Sequence, residues 1–265
     1  KFEEFYGENL FTSYINYYGK ELKYLWDNAI SENLMFPQFH AREHLNAHFW
    51  LHDLKSGTKD TLTAFDVGFF GLKTKTSSKL RDHYLATYFA ESKQEYESVK
   101  NALKCGLEIF EETFGCKSKS FIASNYVWPQ GIEKELKDNG VSAIQGQRKQ
   151  INTIFEKGEI NYIPHYTGES NKWGQFYTVR NVVFEPYLNQ NIDWSDKALK
   201  QIENAFLWKT PAIISSHRIN YASNMSTENR DNSLKQLNSL LKKINKKYPE
   251  VIYLTTNELV DQLMF

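Results

Sequence analysis

Residues 120–145, SFIASNYVWPQGIEKELKDNGVSAIQ, decide how the chain is read. The run 120–123 is short and apolar, as is 141–145, and each suits a strand. Between them, 129–139 has the pattern of a helix, and Gly140 stands where a helix stops. Strand, helix, strand is the repeating unit of a mostly parallel α/β protein. The alternation continues with a strand over 176–184, a helix over 196–207 and a buried strand over 212–216. A long helix follows over 226–247, with Leu234, Leu237, Leu241, Ile244 and Tyr248 on one face and Pro249 ending it. A strand over 251–254 and a last helix capped by Thr255 and Glu258 complete the pattern.

Upstream, 9–33 has the spacing of an amphipathic helix, with Leu22, Leu25, Trp26 and Ala29 on its apolar face. Residues 34–39 suit a strand, with Pro37 where no ladder N–H is needed. A second helix is expected over 41–54, and a strand or folded loop over 61–72. The clearest helix covers 92–114. Ser92 and Glu95 form its capping box, Gly115 its C-cap, and Val99, Leu103, Leu107, Phe110 and Phe114 its buried stripe. No repeat, low-complexity tract or linker divides the chain, so a single domain over 1–265 is expected. The pattern fits a barrel and a doubly wound sheet equally.

Lysine plus arginine and aspartate plus glutamate each number 32 in 265 residues. That balance argues against a nucleic-acid partner, which calls for a cationic face. No apolar run is long enough to span a bilayer. Cys105 and Cys116 make no disulfide framework and leave the redox compartment open. Aromatic residues form 15% of the chain, enough for a core with rings left over to cover the apolar face of a sugar.

Four of the seven histidines, His40, His44, His48 and His52, are spaced four apart. On a helix such residues share one face, and two imidazoles so placed can bind one divalent metal. His40 and His44 fall where the 34–39 strand hands over to the next helix, and α/β proteins bind ligands at strand ends. His48 and His52 lie further along, as surface or supporting groups.

The string Phe39-His40-Ala41-Arg42-Glu43-His44 resembles the second motif of the NodB-homology polysaccharide deacetylases, a metal-binding histidine pair. Three later segments are similar to further motifs of that family, in its order. SFIASNY (120–126) is similar to the third, NQNIDW (189–194) to the fourth, and AIISSH (212–217) to the fifth. Residues 36–46 also resemble a subgroup in which a glycine stands at the place of Ala41. The resemblance covers about 34–263.

This resemblance implies a distorted (β/α) barrel and a metal-dependent hydrolase, zinc being the expected ion, that removes acetyl groups from an amino-sugar polysaccharide or oligosaccharide. It implies His40 and His44 as metal ligands, His217 as general acid and Asp193 as the group that orients it. Asn125, Tyr126 and Trp194 would line the substrate pocket, and a backbone N–H near Tyr126 would help hold the oxyanion. The family's first motif, two adjacent aspartates serving as ligand and base, is not matched between Lys1 and Phe39. It is expected upstream with one or more strands, and the chain by itself is expected to be weakly active or inactive. Asp66 resembles that motif locally but follows the histidines. The third motif lacks its arginine, a role open to Arg148 or Arg180.

Two other functions fit the same residues. His40, Glu43 and His44 spell H-x-x-E-H, the pattern of an inverzincin metallopeptidase with Glu43 as base. A deacetylase-like domain without its aspartates would instead be a non-catalytic carbohydrate-binding domain.

Overall fold

The computed structural model describes residues 2, 4, 20–222 and 227–264. The fold is mixed α/β, with short strands in small sheets. The chain forms two compact units, one of Lys1–Ile144, Lys149–Ile163 and Lys172–Gln175, the other of Gln145–Arg148, Pro164–Asn171 and Phe176–Phe265. Among the described residues no helix is long and apolar enough to cross a membrane. Both cysteines are free thiols.

The first unit opens with α1 (Lys20–Ser31), which ends two residues before the helix expected over 9–33; residues 9–19 of that expectation lie outside the described residues. Trp26 stacks on Phe114, but Leu25 is exposed and does not belong to the buried face. Helix α2 (Ala47–Lys55) begins six residues later than the histidine spacing suggests. Asn46 explains the late start. Its side-chain oxygen accepts the Phe49 N–H, and its amide donates to the carbonyls of Ala86 and Phe89. An asparagine so used is an N-cap and cannot sit inside a helix. Residues 59–66, within the stretch read as strand or loop, form helix α3 (Lys59–Asp66). Leu62 and Phe65, three apart, pack against the core cluster of Phe49, Trp50, Leu54 and Phe89.

Helix α4 (Lys93–Phe114) matches its expected bounds. The Ser92 hydroxyl accepts the Glu95 N–H, and Gly115 takes the left-handed conformation at φ 70°. The Glu95 carboxylate accepts from Glu91, one residue before the cap. Strand β1 (Ser120–Ile122) follows, then helix α5 (Ile132–Asp138) and β2 (Ala143–Gly146), which pairs with β1. Strands β3 (Lys149–Ile154) and β4 (Glu159–Pro164) pair with each other, an element the sequence reading did not anticipate. Phe39 joins β1 through a parallel bridge to Phe121.

In the second unit, the strand expected over 176–184 is two strands, β5 (Phe176–Val179) and β6 (Val182–Val183). Asn181 breaks it, because its side-chain oxygen accepts the Ile213 N–H and its amide donates to Pro211. Strand β7 (Ile214–Ser215) runs parallel to β6, with Val182 opposite Ile214 and Val183 opposite Ser215. It is more open than the buried strand expected there, since Ile214 is exposed. Helices α6 (Trp194–Leu207) and α7 (Thr227–Lys247) cover β6 with Trp194, Ala198, Ile202, Leu240 and Ile244. Residues 251–254 are in no strand, and Ile252 is 73% exposed. Helix α8 (Thr256–Leu263) carries the expected capping box of Thr255 and Glu258.

Gly106 of α4 lets the 39–42 segment lie against the helix. A Cβ there would come within 2.9 Å of Arg42 Cβ and of the Phe39 ring. Gly106→Ala should therefore destabilise the fold by about 1–3 kcal/mol through overpacking, although alanine favours an open helix by up to about 1 kcal/mol. Urea unfolding of the two proteins measures this; an unchanged or raised midpoint would contradict the close packing.

Candidate functional site

The histidine pair belongs to the first unit. Phe39 is buried and its N–H donates to the Ser118 hydroxyl at 3.0 Å. The Ile122 N–H donates to the Phe39 carbonyl, also at 3.0 Å. His40 therefore stands at the end of a strand-like segment registered on β1. Its Nδ1 lies 2.9 Å from the Ile122 carbonyl oxygen. A carbonyl only accepts, so Nδ1 carries the proton and Nε2 the lone pair, the tautomer a metal ligand requires.

The rings of His40 and His44 are 5.3 Å apart between centroids, inclined at 62°. Two imidazoles binding one tetrahedral ion at ~2.0–2.1 Å would place their centroids about 5 Å apart. The pair thus fits two positions of a divalent metal. It does so from an irregular segment and not from the helix the spacing suggested, since α2 starts only at Ala47. Among the described residues no group of three His, Cys, Asp or Glu side chains is placed to hold a metal. A catalytic zinc takes three protein ligands, of which the described residues supply two positions.

Asp66 is exposed at the end of α3. His48 Nε2 lies 3.6 Å from Glu95, and His52 Nδ1 lies 3.3 Å from Asp53. Glu43 is gripped by the Arg42 fork, Nε to Oε2 at 2.6 Å and Nη2 to Oε1 at 2.8 Å. Both carboxylate oxygens of Glu43 are thus engaged by the guanidinium. The helix an H-x-x-E-H site uses is also absent from 40–44.

Asn125 and Tyr126 form the short turn after β1, at φ 53° and 57°. For Tyr126 this left-handed backbone costs about 1–2 kcal/mol. Its N–H donates to the Ala123 carbonyl at 3.1 Å and is committed to the turn, not to an oxyanion. Asn125 is exposed.

The second unit holds Arg148, Asp193, Trp194 and His217. Arg148 is exposed, its guanidinium 5.7 Å from the Tyr166 ring. His217 follows β7, and Glu185 follows β6, so the parallel strands deliver both from their C-terminal ends. His217 Nδ1 lies 2.6 Å from Glu185 Oε1. Glu185 Oε2 accepts from the His217 N–H at 3.3 Å and from the Asn220 amide at 2.7 Å. The Glu185 side chain is 5% exposed and that of His217 is 65% exposed. A buried carboxylate thus fixes the Nδ1 proton of an accessible imidazole, an arrangement that suits Nε2 to proton transfer.

Sequence reading missed Glu185. Its signal was an acid directly after the apolar run Val182-Val183-Phe184, where a strand ends. The expected partner of His217, Asp193, is used elsewhere. It caps α6, accepting from the Asp196 N–H at 2.9 Å and the Ser195 hydroxyl at 2.7 Å. Trp194 is buried, its Nε1 bonded to the Asn189 carbonyl, with Lys197 over its ring at 4.0 Å. It serves as a core residue and offers no face to a sugar. No protein-family model matches the chain, and no curated protein sequence matches it.

The Asp196 amide and then the Ser195 hydroxyl hold the Asp193 carboxyl below its ordinary value of 3.8. A depressed carboxyl stabilises the fold above its unfolded value, and that gain is lost as the pH falls through the folded value. Asp193→Ala should cost about 1 kcal/mol near neutral pH. The gap from wild type should close as the pH drops below 3.8. Thermal melts from pH 7 downward measure it; a gap independent of pH would contradict the cap.

Proposed function

We propose that the chain is a metal-dependent carbohydrate N-deacetylase, with a distorted (β/α) barrel as its underlying architecture. The observation that carries this reading is the His40–His44 pair, 5.3 Å apart, with His40 oriented by the Ile122 carbonyl. His40 and His44 would hold a divalent ion, zinc by preference, and imidazole ligands suit that ion. When bound, the ion supplies Lewis acidity toward an acetyl carbonyl and toward water.

The chain's own residues contribute proton transfer and orientation. In the second unit, His217 Nε2 is the group suited to proton transfer, and general acid toward the leaving sugar amine is the role the family resemblance implies for it. Glu185 keeps the proton on Nδ1 and balances the imidazolium charge, while Asn220 holds Glu185 in place. Asp193 and Trp194 act here through α6, by capping and packing it. The substrate class is an acetylated amino-sugar polysaccharide or oligosaccharide, with Asn125 exposed beside the turn after β1.

A second reading, a glycan-binding domain without catalysis, is favoured by the ligands found among the described residues, since two imidazoles alone make no catalytic zinc site. Acetate release from N-acetylglucosamine oligomers with added zinc separates the two. The deacetylase reading expects slow release, lost in His44→Ala, and lowered by about 10²–10⁴-fold in His217→Ala. Release equal in wild type and His44→Ala would contradict it, and absent release would favour the binding reading.

A further inference from the structure

Helix α1 stops where Asn33 takes the left-handed conformation, at φ 56°. The Leu34 and Met35 N–H groups then both donate to the Ala29 carbonyl, at 2.8 and 3.0 Å. The turn leads into the segment that carries His40, and a cleft of about 380 Å³ lies between this stretch and α4. Trp26, Met35 and Pro37 line it together with Ile109, Phe110 and Phe114 of α4. The whole cleft belongs to the first unit.

The cleft has two ends. At one, Gly106 of α4 lies against Phe39 and Arg42. At the other, Phe114 stacks on Trp26, with 5.6 Å between centroids and 14° between planes. From Gly106 to Phe114 is about 12 Å along the helix axis. His40, between Phe39 and Arg42 in the chain, also lines the cleft. The cleft is therefore continuous with one member of the histidine pair.

Its lining is mostly apolar, and two of its polar groups are engaged by the protein. The Gln38 side-chain oxygen accepts the Ser120 hydroxyl, and the Arg42 guanidinium holds Glu43. Sugar hydroxyls placed there would lose water without full replacement. An alkyl chain gains instead, about fourfold in affinity for each methylene removed from water. The volume is that of a small-molecule site, for which ~300–1,000 Å³ is usual. A methyl group is similar in size to a water molecule, whose share of the liquid is about 30 Å³. An acetyl group alone would leave most of the cleft unfilled.

We infer that the cleft takes the acyl chain of the substrate, so that the amide presented to His40 and His44 carries a chain of several carbons on its amino sugar, acetyl being the shortest group accepted. That an alkyl chain binds here rests on the lining residues. That it is the acyl chain of the amide to be cleaved rests on the deacetylase reading.

Calorimetric titration of the metal-free full chain tests this with three probes: N-hexanoylglucosamine, N-acetylglucosamine, and the hexyl glycoside of N-acetylglucosamine. The hexanoyl amide should bind about tenfold or more tighter than the acetyl amide. Thr113, half-buried on α4, lines the cleft, and Thr113→Trp should bring the two amides to within about twofold of each other. Should Thr113→Trp not fold, Ile109→Asn places a polar group in the same cleft, and the preference should fall there too.

Equal binding of the two amides, binding of neither, or a preference unaltered in the cleft variants would overturn the inference. The hexyl glycoside bound as tightly as the hexanoyl amide would overturn the acyl assignment and put an aglycone in the cleft. Glucosamine release from both amides is then read with zinc added. Hexanoyl amide bound through the cleft, with no glucosamine released from either, would sink the deacetylase reading and leave an alkyl-chain site. Glucosamine freed equally fast from both, with no difference in binding, would do the reverse.

Discussion

Ile122 is bonded twice by one segment. Its N–H donates to the Phe39 carbonyl, and its carbonyl lies 2.9 Å from His40 Nδ1. The first bond sets where the segment lies against β1. The second sets which nitrogen of His40 is protonated and which way the ring faces. Position and tautomer are therefore fixed by the same peptide unit. The approach is possible because Gly106 leaves room for Phe39 and Arg42 on the face of α4. Remove that room, and the strand-like segment, the imidazole orientation and the spacing to His44 all lose their reference.

The second unit orients its histidine by the same physical device with a different acceptor. There a buried carboxylate takes the place of a carbonyl, and Asn220 holds the carboxylate. The difference matters chemically. At His40 the acceptor is an uncharged backbone carbonyl, whereas at His217 it is a buried carboxylate. On the proposed reading, His40 serves as a ligand and His217 in proton transfer.

Those parts of the fold set by local signals were legible in the sequence. Helix α4 lies between Ser92 and Gly115, and α8 begins with its capping box, because the signal and the structure involve the same few residues. The closeness of His40 and His44 was also legible, though for a reason that did not hold. The pair meets through an irregular segment, since the Asn46 side chain caps the helix at Ala47. Asn46 acts through the carbonyls of Ala86 and Phe89, some forty residues away, which no local pattern reveals. Glu185 was missed for a related reason. Its role comes from the parallel register of β6 and β7, and Asp193 drew attention by lying beside a tryptophan. Residues 251–254 have the composition of a strand, but a strand also needs a partner, and composition does not supply one.

The account stands on His40 and His44 acting as one metal-binding pair. The most direct test is elemental analysis of the purified chain and of the His40→Ala/His44→Ala double variant, each equilibrated with excess zinc and then freed of unbound ion. The account predicts close to one zinc per wild-type chain and none retained by the double variant. Zinc absent from both proteins, or retained equally by both, would contradict it.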